Sequence, residues 1–265
     1  MPEISIIMGV HNGERTIRSA LESLREQTFS GWECIICDDG STDRTWQILE
    51  EWAAEDHRLK LLRNSANQGL GATLNVCIAA ATGEFLARQD ADDTSLNTRL
   101  EEQIVYVKQH PEVSVVGTYA ALVGDDGKVW GELRHPETPG PGDWIKGPAV
   151  IHHSVLMRRQ AVLEVGGYDA GAIRLEDYDL WLRMVARGLL IVTLPRTLYR
   201  LHWDRSDYSR RKFRYRLGEM RLKMTALSLL RPPWFYYPYA LKPLVTGLTP
   251  RVLLYAYHLV RFGNR

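Results

Sequence analysis

Cysteine is scarce in this sequence of 265 residues, which contains three: Cys34, Cys37 and Cys77. Cys34 and Cys37 have the spacing of a redox or zinc Cys-x-x-Cys pair, but they lie in an apolar segment that predicts a strand. Residues three apart on a strand point to opposite faces, and the sequence has no second cysteine pair to complete a zinc site. We therefore expect buried thiols in a reducing compartment.

Other absences exclude further classes of protein. The net charge is only +1, so no general affinity for nucleic acid is expected. The N-terminus has no basic and apolar leader, which predicts a cytoplasmic protein. The apolar run at residues 252–260 is far shorter than the roughly 20 residues that cross a bilayer. No Gly-x-Gly-x-x-Gly follows the first strand-like segment, which disfavours a dinucleotide oxidoreductase.

Segments of strand length alternate with helix-like segments through the first hundred residues. Strands are predicted at residues 4–10, 32–37, 59–62 and 84–89, with helices between them. This order predicts βαβ units and a parallel sheet flanked by helices. Ligands of such sheets bind at the carboxyl ends of the strands.

The unusual polar residues follow these strand ends. Asp39 lies after the second strand, and Asp90, Asp92 and Asp93 lie after the fourth. Carboxylates this close repel one another unless a cation lies among them. Oxygen ligands favour Mg²⁺ or Mn²⁺, which often completes its shell with phosphate oxygens. The sequence therefore predicts a nucleotide site with a divalent ion, the alternative being a solvated acidic turn that caps the next helix.

The second half of the chain has fewer chemical features. Residues 124–127, Gly-Asp-Asp-Gly, predict a hairpin turn. Residues 135–148 hold four prolines and three glycines, which predicts a mobile loop. Residues 176–186 predict an amphipathic helix whose acidic first turn complements the helix dipole.

Several motifs occur in an order that resembles one enzyme family. They are Asn12-Gly13-Glu14, Asp38-Asp39-Gly40-Ser41, Asn67-Gln68-Gly69-Leu70, Asp90-Ala91-Asp92-Asp93, Gly166-Gly167-Tyr168, Glu176-Asp177-Tyr178-Asp179 and Tyr199-Arg200-Leu201-His202. From about residue 4 to residue 202 the chain resembles the inverting family-2 glycosyltransferases with the GT-A fold. It departs from the family at His11, where Tyr is more frequent, and at His153, where Pro is common. The resemblance implies an α/β fold with a mainly parallel sheet.

The resemblance also implies a role for each candidate residue. The nucleotide would be bound by Glu14, Asp39, Asn67 and Asp90. Mg²⁺ or Mn²⁺ would be bound by Asp92, with His202 as a second ligand or else a structural residue. Asp177 would be the base that activates the acceptor hydroxyl. Glu176 would orient the site, and His152 would face the acceptor or lie in the core.

The predicted donor is a nucleotide-diphosphate sugar. A carboxylate at Asp39 can accept the imide N–H of uracil or thymine, which favours a UDP- or dTDP-sugar. Arg63 and Arg200 are candidates for phosphate contacts, with surface salt bridges as the alternative. Asp93 is expected to cap the helix that follows it.

The last part of the chain differs from the rest. We expect a glycosyltransferase domain at residues 1–204 and a basic, aromatic helical extension at residues 205–265. Its first helix has one predicted apolar face, formed by Phe213, Leu217, Met220, Met224 and Leu227. The extension could contact a membrane interface, cover the domain's own core or form a homodimer. Membrane contact would favour a lipid-linked acceptor and assembly of a cell-surface polysaccharide.

Two other functions share parts of this pattern. A sugar-phosphate nucleotidylyltransferase has a similar sheet, but residues 10–14 poorly match the glycine-rich, basic loop that it requires, and it would release pyrophosphate. A non-catalytic nucleotide-sugar-binding subunit is disfavoured by acidic residues at successive strand ends. A titration showing no nucleotide binding would favour that subunit over the enzyme.

Overall fold

The computed structural model describes residues 1–172, 174–203 and 213–244. Its strands are β1 Ile4–Val10, β2 Trp32–Asp38, β3 Leu59–Arg63, β4 Phe85–Arg88, β5 Thr94–Ser95, β6 Val113–Val123, β7 Val129–Leu133, β8 Leu156–Arg158 and β9 Leu190–His202. Its α-helices are α1 Ile17–Arg25, α2 Thr45–Glu55, α3 Leu70–Ala80, α4 Arg99–Gln109, α5 Pro141–Lys146, α6 Arg159–Glu164, α7 Glu176–Ala186 and α8 Phe213–Leu230. Two 3-10 helices are His152–Ser154 and Trp234–Leu241.

The strands form one sheet in the order β3-β2-β1-β4-β8-β6-β9-β5, with β7 beside β6. The first four strands pair in parallel, as the βαβ pattern predicts. Strand β8 then pairs antiparallel with both β4 and β6, whereas β6 and β9 are parallel. The α/β fold with flanking helices is confirmed, and its parallel half places the carboxyl ends of β1, β2 and β4 at one edge.

The sheet separates two apolar layers. Helices α1, α2 and α4 cover one face, and α3, α5 and α7 cover the other. Cys34 belongs to the first layer and Cys37 to the second, because they are three residues apart on β2. All three cysteines are buried and free, as predicted.

The prediction of a mobile loop at residues 135–148 is wrong for its second half. Pro141 begins α5, where its missing N–H costs nothing, and the Asp143 carboxylate accepts the Gly140 N–H at 3.1 Å. Trp144 and Ile145 are buried in the core. The composition suggested a loop because proline and glycine at the start of a short helix look like loop residues.

The C-terminal helices pack on the domain. Ala226 and Leu227 of α8 are buried in the layer that contains α5 and α7. Lys223 is also buried, and its Nζ donates to the Lys146 carbonyl at 2.8 Å. The single apolar face predicted for this helix is divided, because Leu217 and Met224 are exposed.

Part of the predicted extension lies outside the described residues. This applies to the boundary at residues 204 and 205 and to the apolar run at residues 252–260. Among the described helices, none combines the length and hydropathy that a membrane crossing requires.

Candidate active site

A cleft lies at the edge of the sheet where β1, β2 and β4 end. It consists of two adjoining cavities of about 660 Å³ and 730 Å³. They share a wall formed by Gly9, Val10, His11 and Leu70. Motif residues from the first half of the chain therefore line two neighbouring cavities. We call the first cavity the nucleotide cavity and the second the acidic cavity.

Asp39 lies in the wall of the nucleotide cavity, beside Asn67. Its Oδ1 accepts hydrogen bonds from the Asn64 side chain at 2.7 Å and the Gln68 N–H at 2.9 Å, and its Oδ2 accepts from the Gly69 N–H at 2.9 Å. These donors fix the carboxylate before any ligand binds. Because a carboxylate has about four acceptor positions, one position remains for a donor on the ligand.

His11 forms the wall between the two cavities. Its Nδ1 lies 2.9 Å from the Asp39 carbonyl oxygen, and its Nε2 lies 3.1 Å from the Asn12 side-chain nitrogen. The carbonyl can only accept, so Nδ1 carries the proton and Nε2 accepts from Asn12. The exposed ring is thereby held at the mouth of the nucleotide cavity, where an aromatic surface can stack on a base.

Five of the candidate site residues line neither cavity: Glu14, Arg63, Arg200, His152 and Asp177. Glu14 accepts the Arg44 N–H at 3.2 Å at the start of α2 and lines a separate shallow cavity. Arg63 pairs with Asp38 at 3.0 Å and supports the turn after β2. Arg200 is exposed on β9 and lines a different cavity beside α1. Glu14, Arg63 and Arg200 were predicted to contact the nucleotide or its phosphates. They do not line the cleft, because the fold directs their side chains to other surfaces.

Asp90 is held from both sides. Its Oδ1 pairs with the guanidinium of Arg88, which is fully buried, and its Oδ2 lies 2.9 Å from Nε2 of His153. Burial alone would raise the pKa of Asp90, but Arg88 and His153 hold it well below its ordinary value. The same pairing, which outweighs the lowering effect of burial, raises the pKa of His153 to about 9.

Asp92 and Asp93 lie in different environments. Asp92 is exposed and lines the acidic cavity, where desolvation and the neighbouring Asp90 raise its pKa. Asp93 is buried, accepts the His202 N–H at 2.8 Å, and has a pKa raised to about 8 chiefly by burial. Asp93 therefore connects the acidic run to β9. The expected helix cap at Asp93 is not its main contact.

The acidic cavity has ligands suited to a divalent ion. Asp92, Asp125 and His202 line it together, and His202 Nε2 lies 2.9 Å from Asp125 Oδ1. A second group consists of Asp90, Asp93 and His153, whose ligand atoms all lie within 4.8 Å of one another. The carboxylate oxygens match the preferences of Mg²⁺ and Mn²⁺. Asp92 and His202, the two predicted ion ligands, both line this cavity, and their binding of an ion stays a prediction.

Glu176 and Asp177 lie in the first turn of α7. Glu176 lines the nucleotide cavity. Asp177 accepts the Tyr178 N–H at 2.7 Å, and burial raises its pKa, with a smaller opposing effect from His153. The Asp90 carboxylate also raises the pKa of Asp177. A raised pKa suits a proton acceptor, because it brings the carboxylate closer to the working pH.

His152 is a core residue, which answers the choice that the sequence left open. Its Nε2 lies 2.7 Å from the Tyr168 hydroxyl, and its ring packs edge-on against Trp181 with centroids 5.9 Å apart. Burial lowers the pKa of His152 well below its ordinary value, so the ring is neutral. An acceptor-facing role for His152 is therefore wrong.

Sequence reasoning missed several residues of the site. They are Arg88, Arg99, Asp125 and His153. Arg99 is fully buried; its Nη1 donates to the Arg88 carbonyl at 3.0 Å, and burial lowers its pKa to about 10. An arginine inside an apolar strand, as at position 88, must have a buried partner, and that rule could have indicated the pairing with Asp90. Asp125 gave only a turn pattern.

The mixed α/β sheet with its acidic edge is the GT-A fold. The structure superposes on S. aureus TarS in complex with UDP with a TM-score of 0.68 and 21% identity, covering 94% of this chain and 71% of that one. It also superposes on the mannosyltransferase PcManGT of Pyrobaculum calidifontis, in complex with GDP-Man and Mn²⁺, with a TM-score of 0.65 and 17% identity, covering 98% and 80% of the two chains.

Sequence comparison gives the family. The glycosyl transferase family 2 model matches residues 5–166. A Bacillus subtilis protein named as a glycosyltransferase, EpsE, is 38% identical over 267 residues, covering 100% of this chain and 96% of the relative. An Escherichia coli UDP-Glc:alpha-D-GlcNAc-diphosphoundecaprenol beta-1,3-glucosyltransferase, WfaP, is 29% identical over 204 residues, covering 76% and 78%. The chain belongs to glycosyl transferase family 2.

Proposed function

We propose that this enzyme transfers a sugar from a UDP- or dTDP-sugar to a hydroxyl acceptor with inversion at the anomeric carbon, using Mg²⁺ or Mn²⁺. The observation that carries the proposal is the shared cleft, which joins Asp39 at one end to Asp92 at the other. The UDP bound by one structural neighbour, and the GDP-Man and Mn²⁺ bound by the other, support the same type of ligand.

Each residue would act where the fold places it. Asp39 would accept the imide N–H of the base, with Asn67 beside it, and His11 would stack on the ring. Asp92 and His202 would hold the ion, which supplies positive charge for the diphosphate leaving group. Asp90, held by Arg88, would face the ribose.

The same placement gives Asp177 and Glu176 their proposed roles. Asp177 would take the proton from the acceptor hydroxyl as that oxygen attacks the anomeric carbon. Glu176 would orient the sugar or the acceptor, because it lines the nucleotide cavity one residue before this base. No side chain forms a covalent bond in this scheme, so one displacement inverts the configuration.

The acceptor is proposed to be a glycan on a lipid carrier, in assembly of a cell-surface polysaccharide. WfaP is named for a diphosphoundecaprenol acceptor, and WbnJ of Escherichia coli, 32% identical over 184 residues, is named for O-antigen biosynthesis. Residues 205–265 would serve as a helical extension that touches the cytoplasmic face of the membrane. Trp234 and Phe235 are exposed there, and basic residues outnumber acidic ones in this part of the sequence.

The base assignment is tested with Asp177→Asn. We expect at least a 100-fold loss of transfer, because the acceptor hydroxyl loses its proton acceptor, and retained UDP binding, because Asp39 is untouched. Transfer is measured by ion-dependent release of nucleoside diphosphate over a panel of nucleotide sugars with lipid-linked acceptors. UDP binding is measured by calorimetry.

Asp179→Asn is the matched control. Asp179 lies on the same helix and pairs with Arg183 at 2.6 Å, so its loss alters stability but not the proton acceptor. Transfer by folded Asp179→Asn protein should remain within a few-fold of wild type. Normal turnover by Asp177→Asn would refute the base assignment. Release of pyrophosphate in place of nucleoside diphosphate would refute the reaction.

A further inference from the structure

Arg15 lines the acidic cavity, although no sequence pattern gave it a role. It lies in the turn between β1 and α1, and its side chain is exposed. In the part of the chain that the structure describes, its guanidinium forms no hydrogen bond and no ion pair. An arginine is always positively charged, so Arg15 brings an unpaired cation to a cavity whose wall also carries Asp90, Asp92 and Asp125.

The backbone of this turn is fixed by the segment that follows β2. The Asn12 N–H donates to Ser41 Oγ at 2.9 Å, and the Gly13 N–H donates to Thr45 Oγ1 at 2.8 Å. These bonds join two turns at the same edge of the sheet. The main chain at Arg15 is therefore held in place at the wall of the cavity, while its long side chain is left without a protein partner.

Arg15 also lines a smaller cavity of about 340 Å³, together with Glu14, Arg18 and Arg44. Arg18 is already paired there, because its Nη2 lies 2.7 Å from a carboxylate oxygen of Glu51. Three guanidinium groups around one small cavity repel one another. That repulsion favours a position of the Arg15 guanidinium toward the acidic cavity, which Arg18 and Arg44 do not line.

We propose that Arg15 binds the diphosphate of the nucleotide-sugar donor and is a further catalytic residue of the transfer. The inference rests on the proposed function, in which the base lies beside Asp39 and the ion beside Asp92. A nucleotide that extends from the nucleotide cavity into the acidic cavity brings its distal phosphate to Arg15, which lines only the second of them. A guanidinium can donate two parallel hydrogen bonds to phosphate oxygens.

The transfer itself adds negative charge to the diphosphate. As the bond between the anomeric carbon and the distal phosphate oxygen breaks, its electron pair stays on that oxygen. The acceptor oxygen forms the new bond to the anomeric carbon, and its proton goes to Asp177. A cation beside the leaving oxygen is attracted more strongly in the transition state than in the bound donor. Arg15 would therefore speed the reaction as well as bind the donor.

The experiment measures binding of UDP and of UMP to the full chain by calorimetry with Mn²⁺ present, and transfer by release of nucleoside diphosphate. Arg15→Ala should weaken UDP binding about tenfold and UMP binding less than about twofold, because UMP lacks the distal phosphate. It should also lower kcat about 100-fold, because the lost contact is strongest in the transition state. Arg15→Lys keeps the charge but not the paired donors, so it should recover part of both losses.

Arg18→Ala is the matched control, because it removes the same charge from the neighbouring cavity and leaves the acidic cavity intact. Its UDP binding and transfer should stay within about twofold of wild type, since its ion pair is exposed. Equal losses in Arg15→Ala and Arg18→Ala would indicate a general effect of charge and overturn the inference.

Three other outcomes would also overturn the assignment of Arg15. Arg15→Ala protein with normal UDP binding and normal kcat would show that Arg15 is an ordinary surface residue. Equal weakening of UDP and UMP binding would contradict a contact with the distal phosphate. Normal UDP binding with a raised KM for a diphosphate-linked acceptor would assign Arg15 to the acceptor, whose phosphates share the same chemistry. Wild-type protein that does not bind UDP would instead overturn the proposed UDP-type donor, and this inference with it.

Discussion

Glu33 offers a test of how the sheet tolerates a buried charge. It lies on β2 and lines neither cavity of the cleft, and its side chain is only 3% exposed. Its Oε1 accepts from Ser5 Oγ at 2.6 Å and from the Thr82 hydroxyl and N–H at 2.7 and 2.9 Å, while Oε2 pairs with Lys60. Glu33→Gln removes the charge but keeps the shape, so it isolates the electrostatic contribution.

The magnitude follows from the pKa of Glu33. Burial raises the pKa, but the Lys60 ammonium and the donors from Ser5 and Thr82 outweigh it and lower the pKa from 4.5 to about 2. At roughly 1.36 kcal/mol per pKa unit, this corresponds to about 3 kcal/mol of folding free energy. Because the folded pKa is the lower one, the stabilisation is complete above about pH 4.5 and disappears as the pH falls toward 2.

The assay is urea denaturation of wild type and Glu33→Gln at pH 7, 4.5 and 3. At pH 7 the variant should be about 2–3 kcal/mol less stable, and the gap should narrow between pH 4.5 and pH 3. Glu51→Gln is the control, because Glu51 pairs with Arg18 on the surface and its loss should change nothing measurable. A gap that stays constant or widens in acid would refute the electrostatic reasoning.

Two further predictions concern ligands. Asp39→Asn should weaken UDP binding about tenfold, because one of the two carboxylate oxygens that accept from Asn64 and Gly69 is replaced by an NH₂ donor. The affinity is measured by calorimetry, and Asp126→Asn on the exposed hairpin is the control. Unchanged affinity of Asp39→Asn for UDP would contradict the assignment of Asp39 to the nucleotide. A double variant, Trp234→Ala with Phe235→Ala, should reduce sedimentation with vesicles of anionic phospholipid and leave thermal stability unchanged. Equal sedimentation of the variant and the wild type would favour a dimer contact instead. So would a wild-type molecular mass that rises with protein concentration when the mass of the variant does not.

Much of the scaffold was predictable because its determinants are local. The apolar runs of β1 and β2 and the periodicity of α7 depend on neighbours within a few positions, and the predicted bounds of α7 match the structure. The position of Asp39, Asn67 and Asp92 at one edge also followed, because parallel strands end at the same edge of a sheet. His202 was expected there only from the family resemblance. The helix within residues 135–148 was not predicted, because the burial of Trp144 depends on which elements of the fold pack against it.

The sequence by itself determined that acidic residues would gather at one edge of an α/β sheet, because strand order and strand ends are written in local patterns. Only the tertiary structure decided which side chains face the cleft. His152 and His153 are adjacent in the chain, yet one packs against Trp181 and the other contacts Asp90. Such contacts join residues tens of positions apart in the chain. A local sequence pattern therefore cannot predict which of these distant residues a side chain will contact.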